Sequence, residues 1–258
     1  MPTAAGLYYF AHGADELARP AVILIHGVGG SHLSWPPQVR RLLAERVIAL
    51  DLPGHGKSAG VGHHRIADYT DDLFRFMTEL KISGAVLVGH SMGGAIALQA
   101  ALSSPERVLG LVLVGSAPRL AVNPTLLQMA SDPAKASAAI DFIVDHSFGE
   151  NVPVRLRELA GQRINRERPS ILYGDLLACD AFDATAEADR IAVPTLILFG
   201  AQDRMVSPAR ARALHRQIRG SQLEILPTAG HMLMLEEPDR TAELLGDFVR
   251  SIPYQPGA

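Results

Sequence analysis

The residue of this sequence best suited to covalent chemistry is a serine framed by glycines. Gly89-His90-Ser91-Met92-Gly93 matches the pattern G-x-S-x-G, after the apolar run Ala85 to Val88 and before the alanine-rich run Gly94 to Leu102. Strand, sharp turn and helix in that order are the setting this pattern requires. The flanking glycines let the backbone take a strained turn and let helix and strand pack closely, so the hydroxyl is presented at the C-terminal edge of a sheet. A serine hydroxyl has too high a pKa to attack a carbonyl unaided. It needs a histidine base, and that histidine needs a carboxylate to fix its tautomer and stabilise its charged form.

Three further blocks accompany it: His26-Gly27-Val28-Gly29-Gly30, Asp51-Leu52-Pro53-Gly54-His55-Gly56-Lys57-Ser58, and the late pair Gly200-Ala201-Gln202-Asp203 with Ala229-Gly230-His231. Together the four blocks resemble the α/β-hydrolase superfamily over nearly the whole chain outside a central helical segment. The resemblance implies an α/β class, with a mostly parallel twisted sheet flanked by helices and a helical cap, and an esterase-like serine hydrolase. It says little about substrate.

In that fold the chain order is nucleophile, acid, histidine. Of ten histidines, only His215 and His231 follow Ser91 far enough to lie beyond a later acid. His215 falls inside the helical pattern Pro208 to Ile218 and is expected on the surface, whereas His231 follows Gly230 in a loop after the run Leu223 to Leu226, the position for a base. Asp203 comes four residues after the run Thr195 to Phe199 and is the expected acid, its alternative reading being an Asx turn or helix cap. Some relatives carry the acid one strand earlier, but there this chain reads Gly115-Ser116-Ala117, without a carboxylate. The resemblance further implies that the backbone N–H groups of Val28 and Met92 form the oxyanion hole, donors that need no side-chain reorganisation. The competing readings of the 26–30 loop are a plain strand-to-helix turn and a phosphate cradle, and no Walker Gly-Lys-Ser/Thr pattern follows it.

Other polar residues are read as scaffold. Asp51 belongs to a structured loop and is expected to be structural. His55, His63 and His64 lack metal-ligand spacing, so hydrogen-bonded or surface roles are expected, with no metal and no cofactor. Arg155, Arg157, Arg163, Arg166 and Arg168 face only Glu158 and Glu167, an excess that fits a solvated helix face or a greeting for an anionic substrate. Leu126, Met129, Phe142, Ile143 and Leu172 either line a pocket or form the core of the helical segment. His90 and Met232, neighbours of Ser91 and His231, are further candidates for substrate contact.

These residues must be positioned by alternating strands and helices. The runs Ala21 to Ile25, Val47 to Leu50, Ala85 to Val88, Leu109 to Val114, Thr195 to Phe199 and Leu223 to Leu226 read as buried parallel strands. Helical patterns begin at Pro36-Pro37 (running to about Ala44), cover Asp68 to Leu80, and follow Ser91, Ser207-Pro208 and Pro238-Asp239. From Ala117 to Arg190 no strand is apparent, only helical patterns over Pro124 to Ala130, Ala134 to Phe148, Val154 to Arg168 and Ile171 to Cys179. The expected organisation is a core of 1–116 and 191–258 with a cap of 117–190.

Composition limits the alternatives. The chain has 258 residues, 48% of them hydrophobic, and a net charge of −3, with no basic run to bind nucleic acid or anchor to a membrane. The single cysteine, Cys179, forbids an intrachain disulfide and sits in the helical segment, away from every catalytic turn. Met1 to Phe10 lacks the regions of a signal peptide and no apolar stretch is long enough to span a bilayer, so a cytoplasmic monomer or homodimer acting on a small molecule is expected. The leading function is hydrolysis of a carboxylic ester, lactone or thioester. The alternatives are a C–C bond hydrolase of the meta-cleavage-product type, whose members commonly have Asn before the nucleophile and Trp after the histidine where this chain has His90 and Met232, and a hydrolase-like receptor with little turnover.

Overall fold

The computed structural model describes residues 2–13, 19–43, 45–164 and 168–253. Apolar runs become strands in one sheet: β1 (Thr3–Ala4), β2 (Leu7–His12), β3 (Ala21–Ile25), β4 (Val47–Leu50), β5 (Ala85–His90), β6 (Val108–Val114), β7 (Thr195–Gly200) and β8 (Gln222–Leu226), in the order β1-β2-β4-β3-β5-β6-β7-β8. β1 and β2 pair antiparallel, as do β2 and β4, and all later neighbours are parallel. Six strands fall within two residues of the apolar runs. The N-terminal hairpin has no such run, because β2 is only partly buried at the edge.

Side chains alternate between two covered faces. Ile23, Ile25, Ile48, Leu50, Leu87 and Leu113 lie in one cluster with residues of α2 (Ile66–Glu79), α3 (Met92–Ser103) and α8 (Pro208–Gln217). Val22, Leu24, Val47, Val86, Val88 and Val112 lie in the other with residues of α1 (Pro37–Arg40) and α10 (Pro238–Ser251). α1 is shorter than its sequence pattern because Arg41 leaves helical geometry at φ −129°, ψ 42°. Ala44, its expected end, lies outside the described residues. After β3 the chain crosses to β4 on one side, while β5 lies on the other. That reversal opens a crevice at the carboxyl ends of β3 and β5, where sheets of this kind bind ligands.

Between β6 and β7 stand α4 (Pro124–Ala130), α5 (Ala136–Ser147), α6 (Val154–Ile164) and α7 (Pro169–Ala181). Among the described residues the only β pairing in this insertion is an isolated bridge between Arg119 and Asp183. Asn123 caps α4, its side chain accepting the Thr125 N–H at 2.9 Å, and prolines open α4 and α7. The expected helix from Ala134 starts later, after a 3₁₀ turn at Pro133–Lys135. The pattern Val154 to Arg168 is divided: Arg168 is extended, as a residue before proline must be, and 165–167, including Arg166 and Glu167, lie outside the described residues. The insertion has its own apolar cluster, against which Val28 and Met205 from the carboxyl edge of the sheet pack. No helix among the described residues is long and apolar enough to cross a membrane. A short α9 (Leu233–Glu236) completes the elements.

Candidate active site

β5 leads directly into Ser91, which holds φ 52° and ψ −115°, a conformation L-residues rarely adopt. The neighbours over-determine this turn. The Ser91 N–H donates to the Val114 carbonyl at 2.9 Å, and its own carbonyl accepts the Gly94 N–H at 2.9 Å and the Ser116 hydroxyl at 2.8 Å. A Cβ on Gly89 would overlap the Gly93 carbonyl, so the first glycine of the motif is required by strand–helix contact. The result is a half-buried serine at the carboxyl edge of the sheet.

Asp203 and His231 meet beside it from the ends of β7 and β8. Asp203 Oδ2 lies 2.8 Å from His231 Nδ1, and both residues are buried. Its Oδ1 accepts the N–H groups of Met205 and Val206, each at 2.8 Å. Oδ1 thus closes the Asx turn, while Oδ2 is the oxygen that faces His231. With Nδ1 committed to Asp203, Nε2 is the ring atom left for Ser91. The two residues line the same cavity but are not joined by a hydrogen bond in this structure, a looseness common in unliganded sites. Gly115 passes beneath the ring, where a Cβ would come within 3.1 Å of Nδ1.

Two neighbours brace the His231 loop. His90 Nε2 donates to the His231 carbonyl at 3.0 Å, and burial, with His231 alongside, holds His90 well below the usual histidine range, so the ring is neutral. Glu236 accepts the Gly230 N–H at 3.0 Å and the Gly149 N–H at 2.9 Å, tying this loop to the insertion, and burial raises its carboxyl. Sequence reasoning missed Glu236, because nothing in the pattern separates it from Glu237.

The 26–30 loop abuts Ser91: a Cβ on Gly27 would lie 2.9 Å from His90 Nδ1 and 3.1 Å from Ser91 Cβ. The N–H groups of Val28 and Met92 have no acceptor within the protein among the described residues. Asp51 stays a scaffold residue. Burial alone would raise its pKa, but hydrogen bonds from the His32 ring and N–H and from the Lys57 N–H hold it below the ordinary value.

Two cavities flank Ser91 and share Val28, Leu176 and Met205. The first, about 820 Å³ with its open mouth, includes His231, Met232, His90 and the 27–30 loop. The second, about 570 Å³ on the same measure, includes Val122, Leu126, Phe142 and Cys179. Ile143 lines the first, whereas Met129 and Leu172 line neither and belong to the insertion's own cluster. Cys179 is a correction to the sequence reading: α7 carries it to the wall of a cavity that reaches Ser91, although burial pushes its thiol well up.

The arginine cluster disperses. Arg155 pairs with Glu158 at 3.2 Å, Arg157 donates to the Gly149 carbonyl at 2.7 Å, Arg168 donates to the Gly60 carbonyl, and Arg163 lines the first cavity while donating to the Leu33 carbonyl at 3.0 Å. His63 pairs with Asp72 at 2.6 Å, and His215, half-buried on α8, contacts the Ser221 hydroxyl at 2.9 Å. Among the described residues no three His, Cys, Asp or Glu side chains gather as a metal site.

A crossed parallel sheet, a strained serine at the end of its fifth strand and an aspartate–histidine pair beside it define an α/β hydrolase. The model of the Alpha/beta hydrolase family matches residues 22–244, and the chain belongs to that family. It is 31% identical over 241 residues to the pimeloyl-(acyl-carrier protein) methyl ester esterase of Neisseria meningitidis, covering 88% of this chain and 92% of that protein. To the dihydrolipoyllysine-residue acetyltransferase component of the acetoin cleaving system of Pseudomonas putida it is 30% identical over 252 residues, but spans only 63% of that protein. Among solved structures, the enol-lactonase from Burkholderia xenovorans LB400 superposes with a TM-score of 0.89 at 26% identity, covering 95% of this chain and 96% of that one.

Proposed function

We propose that this protein is a serine hydrolase that cleaves a carboxylic ester, or a related lactone or thioester, through an acyl-enzyme on Ser91. The observation that carries the reading is the 2.8 Å contact of Asp203 with His231 Nδ1, which leaves Nε2 for a serine held in a strained turn on the same cavity. His231 takes the Ser91 proton as Oγ attacks the carbonyl carbon, and Asp203 stabilises the imidazolium. The Val28 and Met92 amides hold the oxyanion. His231 then protonates the leaving alcohol, and water enters by the same base to release the acid. This chemistry needs no metal or cofactor.

The insertion, residues 117–190, serves as the cap over the core of 1–116 and 191–258. The leaving group must lie within reach of His231, so we assign it to the first cavity, with His90 and Met232. The acyl group then occupies the second, with Leu126 and Phe142. Met129 and Leu172 act on substrate only by shaping the cap. The names of the relatives, a methyl ester esterase and an enol-lactonase, support small esters or lactones as the substrate class.

The test is turnover of p-nitrophenyl esters and lactones of graded acyl length by the wild type and Ser91→Ala. Saturable turnover that Ser91→Ala abolishes is expected. Binding without turnover would favour a receptor, and cleavage confined to a vinylogous diketone would favour the C–C hydrolase.

A further inference from the structure

The cap sends one fully buried carboxylate into the core, and its partners are not apolar. Asp175 on α7 accepts the Gly29 N–H at 3.1 Å and faces His55 Nε2 at 2.8 Å through Oδ2, and accepts the Tyr69 hydroxyl at 2.6 Å through Oδ1. Asp175, His55 and Tyr69 are all fully buried, and the three partners come from the β3 loop, the β4 loop and α2. Stability alone explains this poorly, because a well-packed apolar group commonly serves as well as a buried ion pair.

The two buried histidines beside Asp175 differ in their ring contacts. His55 Nδ1 lies 3.0 Å from the Pro53 carbonyl and Nε2 lies 2.8 Å from Asp175, so both ring nitrogens are engaged by oxygens. His26, with its ring 4.9 Å away, is instead neutral: Nδ1 donates to the Gly27 carbonyl and Nε2 accepts the Leu52 N–H. Burial and the neighbouring His55 lower its pKa to about 4. Tyr69 keeps its proton as a donor, since burial and Asp175 raise its pKa.

Gly29 is the residue after Val28. The planar peptide joining them carries the Gly29 N–H and the Val28 carbonyl, and the Gly30 N–H donates to the Gly27 carbonyl at 3.1 Å, closing the turn over residues 28 and 29, so the bond to Asp175 anchors a closed turn that includes the Val28 N–H. Gly29 itself holds φ +60°, and a Cβ there would lie 3.0 Å from Ile164 of α6 and 3.7 Å from Leu172 of α7, so the cap closes on this turn from two helices. We propose that Asp175, braced by His55 and Tyr69, is a positioning residue for the oxyanion site, holding the Val28 amide in aim through the Gly29 turn while the cap is seated. This rests on the serine-hydrolase reading above, and it couples seating of the cap to stabilisation of the transition state.

The test compares wild type, Asp175→Asn and Tyr69→Phe with a p-nitrophenyl butyrate assay, a trifluoromethyl ketone inhibitor, and the backbone amide resonances of Val28 and Gly29. Asp175→Asn is expected to lower kcat roughly 30- to 300-fold, within the range for an impaired oxyanion donor, with KM changed less than about threefold. Inhibitor affinity should fall in parallel with kcat, and both amide resonances should move. Tyr69→Phe, which removes the donor to Asp175 and the acceptor of the His63 N–H but no charge, should show the same pattern at roughly 2- to 10-fold. A folded Asp175→Asn protein with unchanged kcat and inhibitor affinity would overturn the positioning role. If Asp175→Asn does not fold, unchanged kcat and inhibitor affinity in Tyr69→Phe overturns it equally. Absence of Ser91-dependent turnover in the wild type overturns the underlying reading, and the Ser91→Ala control identifies that case.

Discussion

Gly93, the second residue of α3, presses so closely on β3 that a Cβ there would overlap the Ile25 carbonyl oxygen. The second glycine of the G-x-S-x-G motif is therefore set by backbone contact between α3 and the strand feeding the 26–30 loop. Gly93→Ala must push these elements apart, and is expected to cost roughly 2–4 kcal/mol of stability. Thermal melting and fluorophosphonate labelling should fall together, whereas a normal melt with full labelling would show that the contact is slack.

Asp203→Asn separates the two tasks of that carboxylate. The Asn oxygen can still accept the Met205 and Val206 N–H groups, so the melting temperature should change little. At the other position an amide N–H faces His231 Nδ1 and favours the wrong tautomer. kcat should fall roughly 10³- to 10⁴-fold with KM little altered, as expected when the orienting acid of such a triad is neutralised. A loss below about tenfold would indicate that another carboxylate serves His231.

His26 links stability to pH. Its folded pKa of about 4 lies below the ordinary 6.5, so its contribution is complete above pH 6.5 and is lost as pH falls toward 4, where the unfolded chain binds a proton the native ring refuses. The shift corresponds to roughly 3 kcal/mol. His90, lowered by burial, acts in the same direction, while Glu236, raised by burial, opposes it. The urea midpoint should be clearly lower at pH 4.5 than at pH 7.5, and equal midpoints would count against a buried neutral His26.

Filling one cavity should alter one half of the substrate. Val122→Phe narrows the second cavity and should shift preference toward shorter acyl groups, lowering kcat/KM for octanoyl esters at least about tenfold with little change for acetyl esters. Ala160→Leu narrows the first and should discriminate between alcohols instead. Stopped-flow deacylation rates provide the check, because after the alcohol leaves only acyl contacts remain. Acyl selectivity changed by Ala160→Leu alone would reverse the assignment of the two cavities.

The sheet and the candidate triad were largely legible in the sequence. Parallel strands buried on both faces read as continuous apolar runs, and Ser91, Asp203 and His231 stand in loops just past three of them. The partly exposed hairpin β1–β2 has no such run and was missed. Within the helical insertion, periodicity marks Leu126, Met129, Phe142 and Leu172 as apolar but cannot tell which helix face meets Ser91. Leu126 and Phe142 reach a cavity there, while Met129 and Leu172 turn inward. Asp175 and Cys179 share one turn of α7, and only tertiary packing brings that turn from far along the chain to the 26–30 loop and the wall near Ser91.

The central claim is a covalent acyl-enzyme on Ser91. Mass spectrometry after fluorophosphonate treatment, and after rapid acid quench during turnover of a p-nitrophenyl ester, measures it directly. A single adduct is predicted, mapped to the peptide containing Ser91 and absent in Ser91→Ala. Labelling or ester turnover retained in Ser91→Ala, or an adduct mapped to another residue, would contradict it.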